Sequence, residues 1–285
     1  MQTFKKILVP VDFSEIAANA FIYALRMADK IGAEVQLLHC VHPGMAIAEV
    51  PAYASDITGK LLDVGRESMT SFVKRGVASV SEDLAHEPKI KELVEIGEAV
   101  STTKFVAEDD DFDLVVMGTR GAFGTWAELF GSHASGTLVN APCPVLVVPE
   151  GARFDGIEKL CFATDLEGVD ALVGPSLVAS LAPMSPDIHF VHVREKNNLT
   201  TLDFATLKSF YAEREVPFKI TVSEPSASGV ADAILEEAIK NNADIIVMSR
   251  PGYSFFDTIF HKSRTREVAL HSPLPLLVLN EAPLG

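Results

Sequence analysis

Residues 4–14 read FKKILVPVDFS, and residues 157–167 read IEKLCFATDLE. Both are short apolar strands that end in a small residue and an aspartate. Asp12 and Asp165 stand 153 positions apart (165 less 12). The next apolar runs are VQLLHCV at 35–41 and DIHFVHV at 187–193, and the same offset carries His39 onto His192. Further on, DLVVMGTRG (113–121) matches DIIVMSRPG (244–252), and CPVLVVP (143–149) matches LPLLVLN (274–280), both at an offset of 131. The first copy is therefore 22 residues longer (153 less 131), the excess lying between its second and third strands. The chain reads as a tandem duplication. Its halves are 1–151 and 152–285, divided at Pro149-Glu150-Gly151-Ala152, where Pro and Gly end the preceding strand.

Each half alternates strands with helical patterns. In the first, Ser14 caps a helix over 14–32 whose Ala18, Phe21, Ile22, Leu25 and Ala28 recur at helical spacing, and Gly32 ends it. Residues 57–80 form a second helix, 89–96 a third strand, 113–117 a fourth and 144–148 a fifth. Strands 1, 4 and 5 are unbroken apolar runs, as expected when helices cover both faces of a parallel sheet. The fold class is α/β, two tandem doubly wound domains of about five strands each.

Composition limits the partners. The 285 residues hold 24 Lys+Arg against 39 Asp+Glu, a formal net charge of −15. Residues 1–151 carry 12 basic and 21 acidic side chains, and 152–285 carry 12 and 18, so no basic tail hides in the average. Such a field repels nucleic acid and anionic membrane alike. Cys40, Cys143 and Cys161 contain no CxxC pair, which predicts neither a disulfide framework nor a zinc knuckle. The N-terminus has only a short apolar run before Asp12, and no stretch approaches a membrane span, so the expected location is cytoplasmic.

In a parallel α/β sheet, ligands bind beyond the carboxyl ends of the strands. The first half offers Pro10, Val11 and Asp12 after strand 1, Val41 after strand 2, and Met117-Gly118-Thr119-Arg120-Gly121 after strand 4. The last segment continues to Gly131-Ser132-His133, giving Gly-x2-Gly-x9-Gly-Ser. Glycines let backbone N–H groups approach a phosphate, and a helix opened by Gly131-Ser132 presents free N–H groups and a positive dipole end.

On ILVPVDFS, LLHCV, Gly118-x2-Gly121-x9-Gly131-Ser132 and CPVLVV (143–148), the sequence resembles the universal stress protein family, once per half. In that family the glycine spacing marks members that bind ATP. The resemblance implies ATP, with or without Mg2+, in the first half, ADP or AMP being related ligands. It places Asp12 against the nucleoside and Val41 on the adenine side. Gly118, Arg120, Gly121, Gly131, Ser132 and His133 fall on the ribose–phosphate loop. It also implies the sheet order 3-2-1-4-5 and pairing through strand 5, so the two halves should pair as an intramolecular pseudo-dimer through 144–148 and 275–279. Association of two chains into a homodimer stays open. The second half departs from the pattern: Ser249 stands for Gly118, Pro251 for Arg120, Lys262 for Gly131 and Arg194 for Val41. It is expected not to bind ATP in the same way; Arg250, Lys262, Arg264 and Arg266 either hold another anion or belong to a relict site.

Other features read more plainly. His39/His42 and His189/His192 are HxxH patterns on strands, where i and i+3 point to opposite faces and cannot share an ion. Glu108 to Asp111 with Asp113 lacks the spaced ligands of a calcium loop and reads as a solvated helix end. Cys143 reads as an inert core thiol. With no G-x4-G-K-[ST] motif, the expected function is a nucleotide-binding stress or signalling module with little or no turnover and no catalytic residue, read by an unknown protein partner. The alternatives are a slow ATP hydrolase or adenylyl-transfer enzyme, and a nucleotide-free interaction or chaperone-like protein.

Overall fold

A computed structural model describes residues 3–42, 54–119, 136–138, 140–164, 166, 174–193, 204–212, 218–225, 230–249 and 274–279. In the first half, β1 (Lys6–Pro10) is followed by α1 (Glu15–Ile31), β2 (Glu34–Val41), α2 (Ala54–Ala78), β3 (Ile90–Ile96), α3 (Ala99–Asp109), β4 (Leu114–Thr119) and β5 (Val145–Pro149). The second half contains β6 (Lys159–Ala163), α4 (Gly174–Ser180), β7 (Asp187–Val191), α5 (Phe204–Ala212), β8 (Ile220–Ser223), α6 (Val230–Lys240), β9 (Ile245–Ser249) and β10 (Leu276–Leu279). The extra length of the first half lies between β2 and β3, as its offsets predict: α2 has 25 residues and α5 has 9.

The strands form one ten-stranded sheet in the order β3-β2-β1-β4-β5-β10-β9-β6-β7-β8. Each half thus runs 3-2-1-4-5, and every neighbouring pair is parallel except β5 and β10. Those two meet antiparallel, with Leu146 opposite Leu277, as the resemblance implied. The pairing covers two edges that would otherwise offer unpaired N–H and C=O groups.

Successive strand residues point to opposite faces, so each unbroken apolar strand feeds two cores. Ile7, Val9, Leu114, Val116, Leu160 and Phe162 lie on one face, packed with Phe21 of α1, Phe72 of α2, Leu177 of α4 and Tyr211 of α5. Leu8, Val115, Cys161 and Ile246 lie on the other, with Val106 of α3, Leu138 and Ile234 of α6. Both cores run through both halves. Helix α1 shows why such segments become helices. The Ser14 hydroxyl oxygen accepts from Ala17 N at 3.2 Å, and Gly32 closes the helix in the left-handed conformation (φ 73°), donating to Ala28 O.

The duplication extends to details the motif comparison did not use. Asp113 Oδ2 accepts from the amides of Lys5 and Lys6, both at 2.9 Å. Asp244 Oδ2 does the same for Glu158 and Lys159, at 2.8 and 2.9 Å. Each clamp ties the start of a half's first strand to the start of its fourth. The acidic run ending at Asp113 is thus in part a structural tether. The left-handed residues also repeat: Phe13 (φ 64°) with Leu166 (φ 60°), and Asp111 with Asn242 (φ 52° each).

Candidate functional site

The strand order reverses between β1 and β4. Helix α1 leaves β1 over one face, whereas Leu138, between β4 and β5, packs on the other. A crevice at the carboxyl ends of these strands is where such a sheet binds ligands. Pro10, Val11 and Asp12 leave β1 there, Val41 ends β2, and Met117 and Gly118 lie in β4. These six predicted residues therefore share one end of the sheet. Arg120, Gly121, Gly131, Ser132 and His133 lie outside the described residues, as do Asp165, Arg194, Arg250, Lys262, Arg264 and Arg266.

The loop after β1 is held from several sides. Val11 N donates to Leu38 O at 2.8 Å. His39 Nδ1 lies 2.9 Å from Val11 O. A carbonyl only accepts, so Nδ1 carries a proton and donates it. Phe13 takes a left-handed conformation that costs an aromatic residue energy. Its ring lies 4.2 Å from that of His39 and 5.6 Å from that of Phe72, contacts that keep it there. Asp12 is left exposed at the turn, with Oδ1 accepting from Ser14 N at 3.0 Å. Burial raises its pKa, but hydrogen bonds from the Ser14 hydroxyl and amide and the nearby His39 outweigh that and hold it below the usual carboxylate range. Asp12 is therefore an anion at neutral pH. It suits hydroxyl or amine donors and repels phosphate.

Side-chain burial sorts the remaining positions. Val11 is 6% exposed and Met117 7%, each inside one of the cores, so only their backbone is presented at this end of the sheet. Val41 is buried too, and its carbonyl accepts from Gly97 N at 3.1 Å. At Gly118 the structure supplies a reason that the motif alone does not. A Cβ there would lie 2.6 Å from Ile16 O and 2.7 Å from Ile16 Cγ2. The glycine is needed first so that the opening turn of α1 can close onto β4. Asn19 Nδ2, donating to Pro149 O at 3.1 Å, ties the same helix to the end of β5.

The second half keeps the same histidine brace on its equivalent loop and adds a threonine bond. Thr164 Oγ1 accepts from Leu166 N at 3.0 Å, and His192 Nδ1 donates to Thr164 O at 3.0 Å. Ser249, at the place of Gly118, carries the Cβ that the first half excludes. His39 and His192 are thus equivalent loop braces.

The sequence reading missed a polar cluster built on His189. Its Nδ1 lies 2.6 Å from Thr221 Oγ1 and its Nε2 3.0 Å from Ser223 Oγ. Nε2 also lies 3.1 Å from Asn241 Nδ2 and 3.5 Å from Glu237 Oε2. At offsets of 153 and 131 the first half has Gln36 for His189, Ile90 for Thr221, Glu92 for Ser223 and Val106 for Glu237, so Thr221 and Glu237 replacing apolar residues were the available signal. Among the described residues no group of three or more His, Cys, Asp or Glu side chains is placed to hold a metal ion. Burial pushes the Cys143 thiol up to about 12, in keeping with an inert core residue. Among the described residues no helix is long and apolar enough to cross a membrane.

The sequence profile of the universal stress protein family matches residues 3–149 and again 179–280. The chain belongs to the universal stress protein family. A universal stress protein of Methanocaldococcus jannaschii is 34% identical over 149 residues, covering 51% of this chain and 82% of its own. One from Synechocystis is 24% identical over 300 positions and covers 96% of this chain and 99% of its own, so it too spans both halves. The crystal structure of a universal stress protein from Archaeoglobus fulgidus superposes with a TM-score of 0.68 at 20% identity, covering 97% of this chain and 98% of that one. That likeness extends the shared fold over the whole tandem arrangement.

Proposed function

We propose that this universal stress protein binds ATP in its first domain, taken as 1–151, and acts as a stress-response or signalling module with little or no turnover. The second domain, 152–285, is a degenerate partner. The observation that carries the reading is the pairing of an ionised, outward Asp12 with a glycine-spaced segment starting at Gly118, on neighbouring strands at the topological switch point. Asp12 suits the hydroxyl and amine donors of a nucleoside. Its charge steers the triphosphate away, toward the segment of Arg120, Gly121, Gly131, Ser132 and His133. In a chain of net charge −15, backbone N–H groups and one arginine must hold that anion. Val41 lies at the end of β2, where the base would rest. Mg2+ would accompany the phosphates.

Titration calorimetry with ATP, and mass spectrometry of nucleotide retained by the freshly purified protein, test this. Binding by the wild type and its loss in the double variant Gly121→Val, Gly131→Val are expected. An unchanged affinity refutes the site, and absence of binding refutes the function. Steady release of ADP or AMP above background would replace the module with an enzyme.

A further inference from the structure

We infer that the outer edge of β3 is a self-pairing surface, and that a second copy of this chain adds to it antiparallel about a two-fold axis at Leu93. Among the described residues the sheet ends at β3 on one side and β8 on the other, since the fifth strands are spent on each other. Strand β3 is the longer edge, with seven residues paired to β2. Lys89 O accepts from Val35 N and Gly97 N donates to Val41 O, so odd-numbered residues direct their backbone groups at β2. The alternation leaves the N–H and C=O groups of Ile90, Glu92, Val94 and Ile96 directed outward. In an antiparallel pair centred on Leu93, those four are the residues that exchange hydrogen bonds: Ile90 with Ile96 of the second copy, and Glu92 with Val94.

Two side-chain pairs match in the same register, while Glu92 falls opposite Val94. Lys91 falls opposite Glu95 of the second copy, on one face, twice over. Ile90 falls opposite Ile96, which is 43% exposed. Glu95 is exposed and has no ion pair among the described residues, whereas Lys91 already reaches Glu34 at 2.9 Å. Alternating charge normally blunts an edge, because a foreign strand meets it out of phase; here the phase is self-complementary. The edge of β8, ITVS, has no such symmetry, and its Thr221 and Ser223 hydroxyls are taken by His189.

A strand pair alone buries less than the ~1,200 Å² of a stable interface. Helix α2 packs against β3 and would add to the contact, beside a mixed groove lined by Val73, Val77 and Ile90 together with Lys74, Glu87 and Glu92. Thr70 Oγ1 donates to Glu92 Oε2 at 2.8 Å, which sets Thr70 near the two-fold. Exposed Glu67 and Lys74 flank it, so two copies of α2 running antiparallel bring Lys74 beside Glu67.

Sedimentation equilibrium of the full chain at low salt tests the surface. The wild type is expected at twice 30.7 kDa. Glu95→Lys sets lysine against Lys91 and should raise the dissociation constant at least tenfold. The swap Lys91→Glu, Glu95→Lys should restore the dimer. Glu92→Pro removes one outward N–H without touching the β2 ladder and should leave a monomer. A 30.7-kDa wild type at every concentration overturns the proposal, and so does a dimer that Glu95→Lys leaves unchanged.

Discussion

Replacing Gly118 by alanine tests the packing at the base of the site. The added Cβ would sit 2.6 Å from Ile16 O and 3.0 Å from Ile16 C, with Ile16 Cγ2 at 2.7 Å. The nearest atoms are backbone, so no rotamer change relieves the clash. Helix α1 cannot retreat freely either. Ser14 caps it, Asn19 ties it to Pro149, and Ala17, Ala20, Phe21 and Ala24 are buried beneath it. Overpacking against a fixed wall costs about 1–3 kcal/mol. In Gly59→Ala, by contrast, the Cβ meets nothing within 4 Å inside α2, and the variant should gain about 0.5–1 kcal/mol from helix propensity. Urea denaturation read from midpoints at constant slope separates the two signs. A Gly118→Ala protein within about 0.5 kcal/mol of wild type would refute the close-approach argument. The same variant bears on the proposed function, because the turn that must shift directly follows Asp12 and is joined to it by the Ser14 amide. Stability and ATP affinity should fall together in Gly118→Ala.

Two further outcomes follow from the structure. Burial pushes His189 below its usual 6.5 despite Glu237 beside it, with Lys240 also opposing its charge. Thr221 and Ser223 of β8, Asn241, and Cys161 of β6 in register on the same face complete its surroundings. The unfolded chain therefore binds the proton more readily, and stability should fall as pH drops below 6.5, by at most about 1.4 kcal/mol per pH unit. His189→Gln should flatten that slope, and an unchanged slope between pH 7.5 and 5.5 in urea melts would assign the dependence elsewhere. Asp113→Ala and Asp244→Ala should each cost about 1–2 kcal/mol by freeing two amides. The clamps lie three strands apart, about 14 Å or more, so the double variant should show the sum in thermal or urea melts; a cost in only one half would break the equivalence of the clamps.

The architecture was legible because burial on both faces forces unbroken apolar strands, and those strands recur at fixed offsets. Strand order was not: nothing in ILVPVDFS says that β4 rather than β3 lies beside β1, and that came from resemblance alone. The site divides the same way. Asp12 was legible because a charged residue straight after a buried strand must leave the sheet. The brace by His39 was not, since a histidine on an apolar strand looks alike whether it binds metal, packs or holds a carbonyl. Gly118 is the instructive case. Spacing marks it as a phosphate-loop glycine, whereas the space its Cβ would need is filled by the backbone of α1. The two demands fall on one residue because the helix that follows Asp12 must rest on the strand that leads into the glycine-spaced segment. Ser249 takes the same place in β9 with a Cβ present, so the demand for glycine at this position is set by the seat of α1 in the first half and not by the sheet itself.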